Sequence, residues 1–380
     1  MSLLPAALRF PMKLGMEQPS NLCSRKPVFV RSSSLHFNGL TSSSLPQTLP
    51  CLILDVDPCG ADVGRLLVLN VTERYSTYLE KKVPLELFNP MVTIGASHGW
   101  VATLKDDGIV RLHDDLNPIA SDTNPKRISL PPLVTLPHCQ TQVVTNVTMS
   151  SSSPEDEDCV VAVKFLGPQL SFCRPAQSNS EWINIRIENP CFFSSPVMYS
   201  KKDDMFRIPG SGGHLIGSWD LHKHDKNPDL QSLRFRNLPE PRSAKRDLLD
   251  SCYTSEHLVE SRATGETFLI KRYKKTARII KGIAKMKTEM LMVFKLDNEG
   301  NAVYTKNIGD LIIFLSKSEP FCVTSSSFPN MDSNRVRILD VDESATVLLG
   351  HLPYIKSTIY RVGFGAPYII PPQIKLTTDY

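Results

Sequence analysis

Short apolar or alternating runs recur along most of the chain, at 52–54, 66–71, 100–104, 109–112, 160–166, 182–187, 268–270, 291–296, 311–315 and 336–341. Each is the length of a strand, and most are bounded by Gly, Pro, Asn, Asp or Ser. Turn chemistry lies between them. Lys105-Asp106-Asp107-Gly108 and Asp297-Asn298-Glu299-Gly300 each combine an Asp or Asn that tolerates turn backbone with a Gly that supplies positive φ. Helical patterning is scarce: the 29 prolines interrupt most windows, and only 247–255 and 276–286 read as helical. Many short strands in series predict an all-β domain, as a sandwich, a barrel or a propeller. The roughly 330 residues that follow position 46, at ~40 to 50 per four-stranded blade, favour a single β-propeller of six or seven blades over residues 46–380.

Composition separates the first 45 residues from the rest. Up to Leu54 the only acidic residue is Glu17, against Arg9, Lys13, Arg25, Lys26 and Arg31, and serines cluster at 32–34 and 42–44. A basic, serine-rich, acid-poor leader is the composition of an organellar transit peptide, expected to be disordered. A secretory signal fits less well, because the apolar start contains Pro5 and stops at Arg9. Mitochondria are the expected destination, with chloroplasts as the alternative. Asn70 and Asn146 stand in glycosylation acceptor patterns that such a route leaves unused. The nine cysteines are scattered and never spaced C-x-x-C, so they read as reduced thiols rather than a disulfide framework or zinc ribbon. No run of about 18 apolar residues exists, so no membrane span is expected. A formal net charge of +4 gives no global argument for nucleic acid.

One blade carries a resemblance. Gly95-Ala96-Ser97-His98-Gly99-Trp100-Val101-Ala102, then Asp107-Gly108, Leu116-Asn117-Pro118 and Ile128-Ser129-Leu130-Pro131-Pro132-Leu133, resembles a blade of the plant F-box-associated β-propeller family, domain of unknown function 295. Similar blades follow around Pro196-Val197-Met198-Tyr199, His257-Leu258-Val259-Glu260 with Thr267-Phe268-Leu269-Ile270, and Ile308-Gly309-Asp310-Leu311, so that the likeness covers roughly 46–345. It implies a propeller that presents loops to a protein partner. Family members couple an F-box to the propeller and act as substrate receptors of ubiquitin ligases. The region before Pro50 is too rich in Pro and Ser for F-box helices, which implies an organelle-targeted branch lacking that module.

Candidate chemistry is sparse. Pro209-Gly210-Ser211-Gly212-Gly213 lacks the Lys and the helix of a phosphate loop, and Gly213-His214 stands too close to Trp219-Asp220 for a WD repeat. These residues read as a hairpin loop between strands at 205–208 and 214–219, with Trp219 packed between blades. Asp55-Val56-Asp57 resembles the D-x-D of phosphotransferases, but no βα scaffold follows it; a matching Asp340-Val341-Asp342 suggests that the chain's two ends meet in one blade. Asp310 is expected to cap backbone N–H groups between two strands. His222-Lys223-His224-Asp225 offers ligands at i and i+2 without a second cluster, and reads as a polar loop. Catalytic, cofactor and metal sites are therefore expected to be absent, and the chain is read as a noncatalytic, monomeric interaction module. The one candidate patch is Lys271, Arg272, Lys274, Lys275, Arg278, Lys281, Lys285 and Lys287, eight basic residues over 271–287 with no acidic one among them. The stretch reads first as a long, solvated strand-to-strand insertion; as an interaction patch it would hold an unidentified acidic protein partner or RNA.

The potential across the mitochondrial inner membrane draws cations inward at about 2.3 kcal/mol per charge per 100 mV. Residues 1–45 are therefore expected to carry a fluorescent reporter into mitochondria. Replacing Arg9, Lys13, Arg25, Lys26 and Arg31 by Gln should leave it in the cytosol. A reporter left cytosolic or nuclear by the unmodified leader would overturn the organellar reading.

Overall fold

The computed structural model describes residues 48–70, 76–223, 227–239, 243–280, 282–350, 354–358 and 367–373, so the leader lies outside the described residues. Strands β1 (Cys51–Pro58), β2 (Val63–Asn70) and β3 (Ser76–Pro84) supply most of blade 1. Blade 2 is β4 (Thr93–Ser97), β5 (Trp100–Leu104), β6 (Ile109–His113) and β7 (Arg127–Pro132). Blade 3 is β8 (Val144–Met149), β9 (Val161–Phe165), β10 (Gln169–Cys173) and β11 (Ile183–Arg186). Blade 4 is β12 (Met198–Ser200), β13 (Met205–Pro209), β14 (Leu215–Trp219) and β15 (Asp229–Ser232). After β16 (Arg234–Arg236) and the helix α1 (Ser243–Asp250), blade 5 takes β17 (Tyr253–Glu260), β18 (Thr267–Ile280), β19 (Ile283–Leu296) and β20 (Asn301–Thr305). Blade 6 takes β21 (Leu311–Leu315), β22 (Phe321–Thr324), β23 (Arg335–Leu339), β24 (Ser344–Leu348) and β25 (Tyr354–Thr358).

The last strand, β26 (Tyr368–Ile370), pairs antiparallel with β1 at Cys51↔Ile370, Leu52↔Ile369 and Ile53↔Tyr368. It completes blade 1 and closes a propeller of six blades among the described residues. Two blades carry a fifth strand: β16 adds in parallel outside β20, and blade 6 runs in the order β22-β21-β23-β24-β25 with β21 parallel to β23.

Packing explains why so many strands are apolar throughout instead of alternating. A blade has neighbours on both sides, so both faces of its sheet leave water. In β21, Leu311, Ile313 and Leu315 pack toward blade 5 with Phe268 and Leu291, while Ile312 and Phe314 pack toward blade 1 with Leu52 and Ile369. In β9, Val161, Val163 and Phe165 meet blade 2, and Ala162 meets blade 4. Six apolar clusters, one at each junction, make up the core. Trp219 takes its expected place between blades 3 and 4, with Phe172 and Phe192. Asn146 is also buried at that junction: its Nδ2 donates to Val197 O at 2.7 Å, and its Oδ1 accepts from Val197 N at 2.9 Å.

At the ring's centre, the 316–320 loop reaches inner strands of other blades. Ser318 bridges Ala96 in parallel, Glu319 N donates to Ala96 O at 2.6 Å, and Lys317 Nζ donates to Thr93 O at 2.7 Å. The Glu319 carboxylate accepts from Ser97 Oγ at 2.5 Å and from Tyr199 N at 3.4 Å. One side chain of blade 6 thus touches blades 2 and 4. Burial pushes the Glu319 carboxyl above the usual glutamate range, against the pull of these donors and of the Arg262 charge. Burial likewise lowers Lys317 to about 8.

Three expectations need correction. The helix expected over 247–255 is α1 at Ser243–Asp250, and 253–255 already belong to β17. Residues 276–286 are not helical, because they pair across a hairpin whose turn is made at Gly282, with φ 80°. The chain's ends do meet in one blade, but through β26; Ile338 and Leu339 belong to β23 in blade 6. The strands at 205–209 and 215–219 form the expected hairpin, and Asp310 does cap backbone, accepting from Ser326 N at 3.2 Å.

Because the folded-state pKa of Glu319 is raised, ionisation disfavours the fold. Its contribution to stability should grow as pH falls from neutral through the raised pKa, and level off below the ordinary glutamate range. In melting curves taken between neutral and mildly acid pH, Glu319→Gln should lack this gain, so wild type should rise relative to the variant on acidification. An unchanged difference between the two proteins would refute the assignment.

Candidate functional site

Seven of the eight basic residues singled out over 271–287 lie in the described part of the hairpin β18–β19, and Lys281 falls outside the described residues. Isoleucine and threonine suit extended backbone, and Gly282 provides the turn. The hairpin outruns its sheet. β17 accompanies β18 only as far as Tyr253↔Lys274, and β20 accompanies β19 only from Val293↔Thr305 onward. In blades 1 to 4 the corresponding turns are short, as at 105–108 and 210–214. This one projects from the same end of the ring.

The structure divides the basic residues into two groups. Arg272 is buried. Its Nη1 meets Asp340 Oδ2 at 2.8 Å, Nη2 meets Glu343 Oε1 at 2.7 Å, and Nε donates to Thr288 Oγ1 at 2.9 Å. Lys274 Nζ lies 3.6 Å from Asp340, and Lys285 Nζ lies 3.1 Å from Asp342. Burial alone would raise the Asp340 carboxyl, but the Arg272 and Lys274 charges and the Arg272 hydrogen bond hold it at about 2. These contacts clamp the hairpin onto the 340–343 turn of blade 6. Lys271 is also occupied, donating to Gly212 O at 3.0 Å with Phe235 beneath it.

The outer half differs. Lys275 stands directly opposite Lys287, and Arg278 opposite Lys285. Lys275 Nζ reaches only the Ser251 hydroxyl, at 3.2 Å. Beyond them the tip exposes Ile279 by 70%, Ile280 by 40% and Ile283 by 64%, the opposite of what core strands do.

Other regions hold less. A cleft of about 480 Å³ between blades 3 and 4 is lined by Asp156, Glu157, Asp158, Arg174, Tyr199 and His222, among others. There the Tyr199 hydroxyl donates to Asp204, and His222 Nε2 lies 3.4 Å from Asp204 Oδ2. His224 and Asp225 lie outside the described residues. Asp57 is paired with Arg65 at 2.7 Å, and Asp55 Oδ1 accepts from Val56 N at 2.8 Å, both on an antiparallel strand rather than in a βα unit. Lys164 is a group that sequence reading passed over. It is fully buried and donates to Phe165 O, to Gly167 O at 3.0 Å and to Phe193 O at 2.9 Å, and burial lowers it to about 7. Its place within the apolar run 160–166 is the signal that could have found it.

A closed ring of six blades is the architecture of a β-propeller domain. The chain belongs to the KIB1-4 β-propeller family, whose model matches residues 68–359. Among solved structures it is similar to the β-propeller domain of Myceliophteria thermophila Cps50 (Swd1), at 9% identity and a TM-score of 0.34, covering 81% of this chain and 89% of that one. It is also similar to a putative 6-phosphogluconolactonase from Bacteroides fragilis, at 11% identity and a TM-score of 0.39, covering 85% of this chain and 97% of that one. No curated protein matches the chain.

Removing one partner from a buried ion-pair network strands the other charges, at about 3 to 5 kcal/mol. Arg272→Ala should therefore lower the urea unfolding free energy by about 3 kcal/mol or more, whereas Arg278→Ala on the outer half should stay within about 0.5 kcal/mol of wild type. Equal losses in the two variants would show that the clamp is not built as described.

Proposed function

We propose that the protein is a noncatalytic interaction module that binds a protein partner inside an organelle, the mitochondrion by preference and the chloroplast as the alternative. The observation that carries this reading is the hairpin that leaves the ring and exposes Ile279, Ile280 and Ile283 beside cations. Apolar side chains held in water on a rigid ladder have a physical rationale when another surface covers them. The basic, acid-poor leader supports the organellar part. The likeness of residues 95–133 to F-box-associated propellers supports partner binding by propeller loops. RNA is the second reading, favoured by Arg278 and Lys287, which have no carboxylate partner among the described residues.

Affinity purification of tagged protein from isolated mitochondria tests the proposal. A discrete protein should co-purify in a nuclease-resistant complex that does not contain the adaptor recognising F-boxes. Stable co-purification of that adaptor, or RNA as the sole salt-sensitive companion, would overturn it.

A further inference from the structure

The two long edges of the projecting hairpin are treated differently. Along β19, backbone N–H groups are capped by side chains of the neighbouring blade: Met286 N donates to Asp342 Oδ2 at 3.2 Å, and Thr288 N to Glu343 Oε1 at 2.9 Å. Along β18, pairing with β17 ends at Lys274, and over 275–280 the main chain has no hydrogen-bond partner other than β19 among the described residues. One edge is sealed and the other is open.

The side chains on the open half are charged in a way that disfavours the hairpin by itself. Like charges directly opposite each other on a ladder are destabilising, yet Lys275 faces Lys287 and Arg278 faces Lys285. Alternation along β19 puts Lys285 and Lys287, and with them both pairs, on one face. Of these four residues, Lys285 alone has a carboxylate partner among the described residues. Lysines do guard exposed edges against unwanted pairing. That explanation does not extend to Ile279, Ile280 and Ile283, which make an edge more adhesive.

We infer that the β18 edge over 275–280, with the isoleucine tip, docks an extended protein segment that alternates carboxylate and apolar side chains. Main-chain hydrogen bonds to the open edge give affinity, carboxylates meet Lys275, Arg278 and Lys287 on one face, and apolar side chains cover Ile279 on the other. A lipid surface or RNA supplies anions but no main chain to complete a ladder. The inference rests on the interaction-module reading and deepens it by naming the site and the partner's chemistry.

The test uses purified full-length protein and a labelled synthetic peptide alternating glutamate and valine. The peptide should bind, and amide hydrogen exchange should slow over 275–280 in its presence. Lys275→Glu combined with Arg278→Glu should weaken binding at least about tenfold, as should Ile279→Asn combined with Ile283→Asn. Melting temperatures establish that these surface variants fold; if they do not, the exchange pattern of wild type decides. Binding without protection at 275–280, unchanged affinity in folded variants, or tighter binding of phosphatidylserine vesicles or oligouridine than of the peptide would each overturn the site. A charge-reversed variant that still captures the organellar partner would refute the site while leaving the interaction-module reading intact.

Discussion

A blade of this protein has no core of its own, because each sheet buries both faces, one against each neighbour. Phe314 and Leu315 are adjacent in sequence yet belong to different apolar clusters, one shared with blade 1 and the other with blade 5. Stability therefore belongs to junctions rather than to blades, and a junction exists only when both neighbours are present. The three residue pairs between β26 and β1 accordingly matter more than their number implies, since they turn an open row of sheets into a ring. Glu319 adds a second tie at the centre, where a carboxylate from blade 6 accepts hydrogen bonds from blades 2 and 4.

The same rule explains what was legible in the sequence. Runs such as 160–166 and 311–315 announce themselves as strands because both faces are apolar, so no register has to be guessed. Hairpins were readable where turn chemistry was local, as at Lys105-Asp106-Asp107-Gly108 and around Gly210. Chain length alone fits six or seven blades; six form among the described residues because β16 and β25 thicken two blades instead of making another. The projecting hairpin misled for a physical reason. Ile279, Ile283 and Met286 are spaced as on one face of a helix, and only cross-strand pairing, which no local window contains, decides for the strand.

The candidate site was half legible. Charge density singles out 271–287, but it does not separate the cations that hold the fold from those that face solvent. Arg272 looks like its neighbours in sequence, and its partners Asp340 and Glu343 lie 68 and 71 residues away. Glu319 was missed on the same ground, since Ser97 is 222 residues distant. Isoleucines at the tip read as core by residue type, and only the absence of a third strand beside them shows otherwise.

Closure by the last strand also fixes an order of events. While the chain is being synthesised, β1, β2 and β3 arrive before the other strands and cannot complete their blade until Tyr368–Ile370 follows. During that interval the edge of β1 that β26 will cover is open, and Leu52 lacks its neighbours from blade 6. Contacts of such sequence separation form slowly, and open strand edges are the places where unfinished chains associate. The first strands of the ring to appear are therefore the last to be protected, which makes blade 1 the part of the propeller most dependent on a chaperone during synthesis.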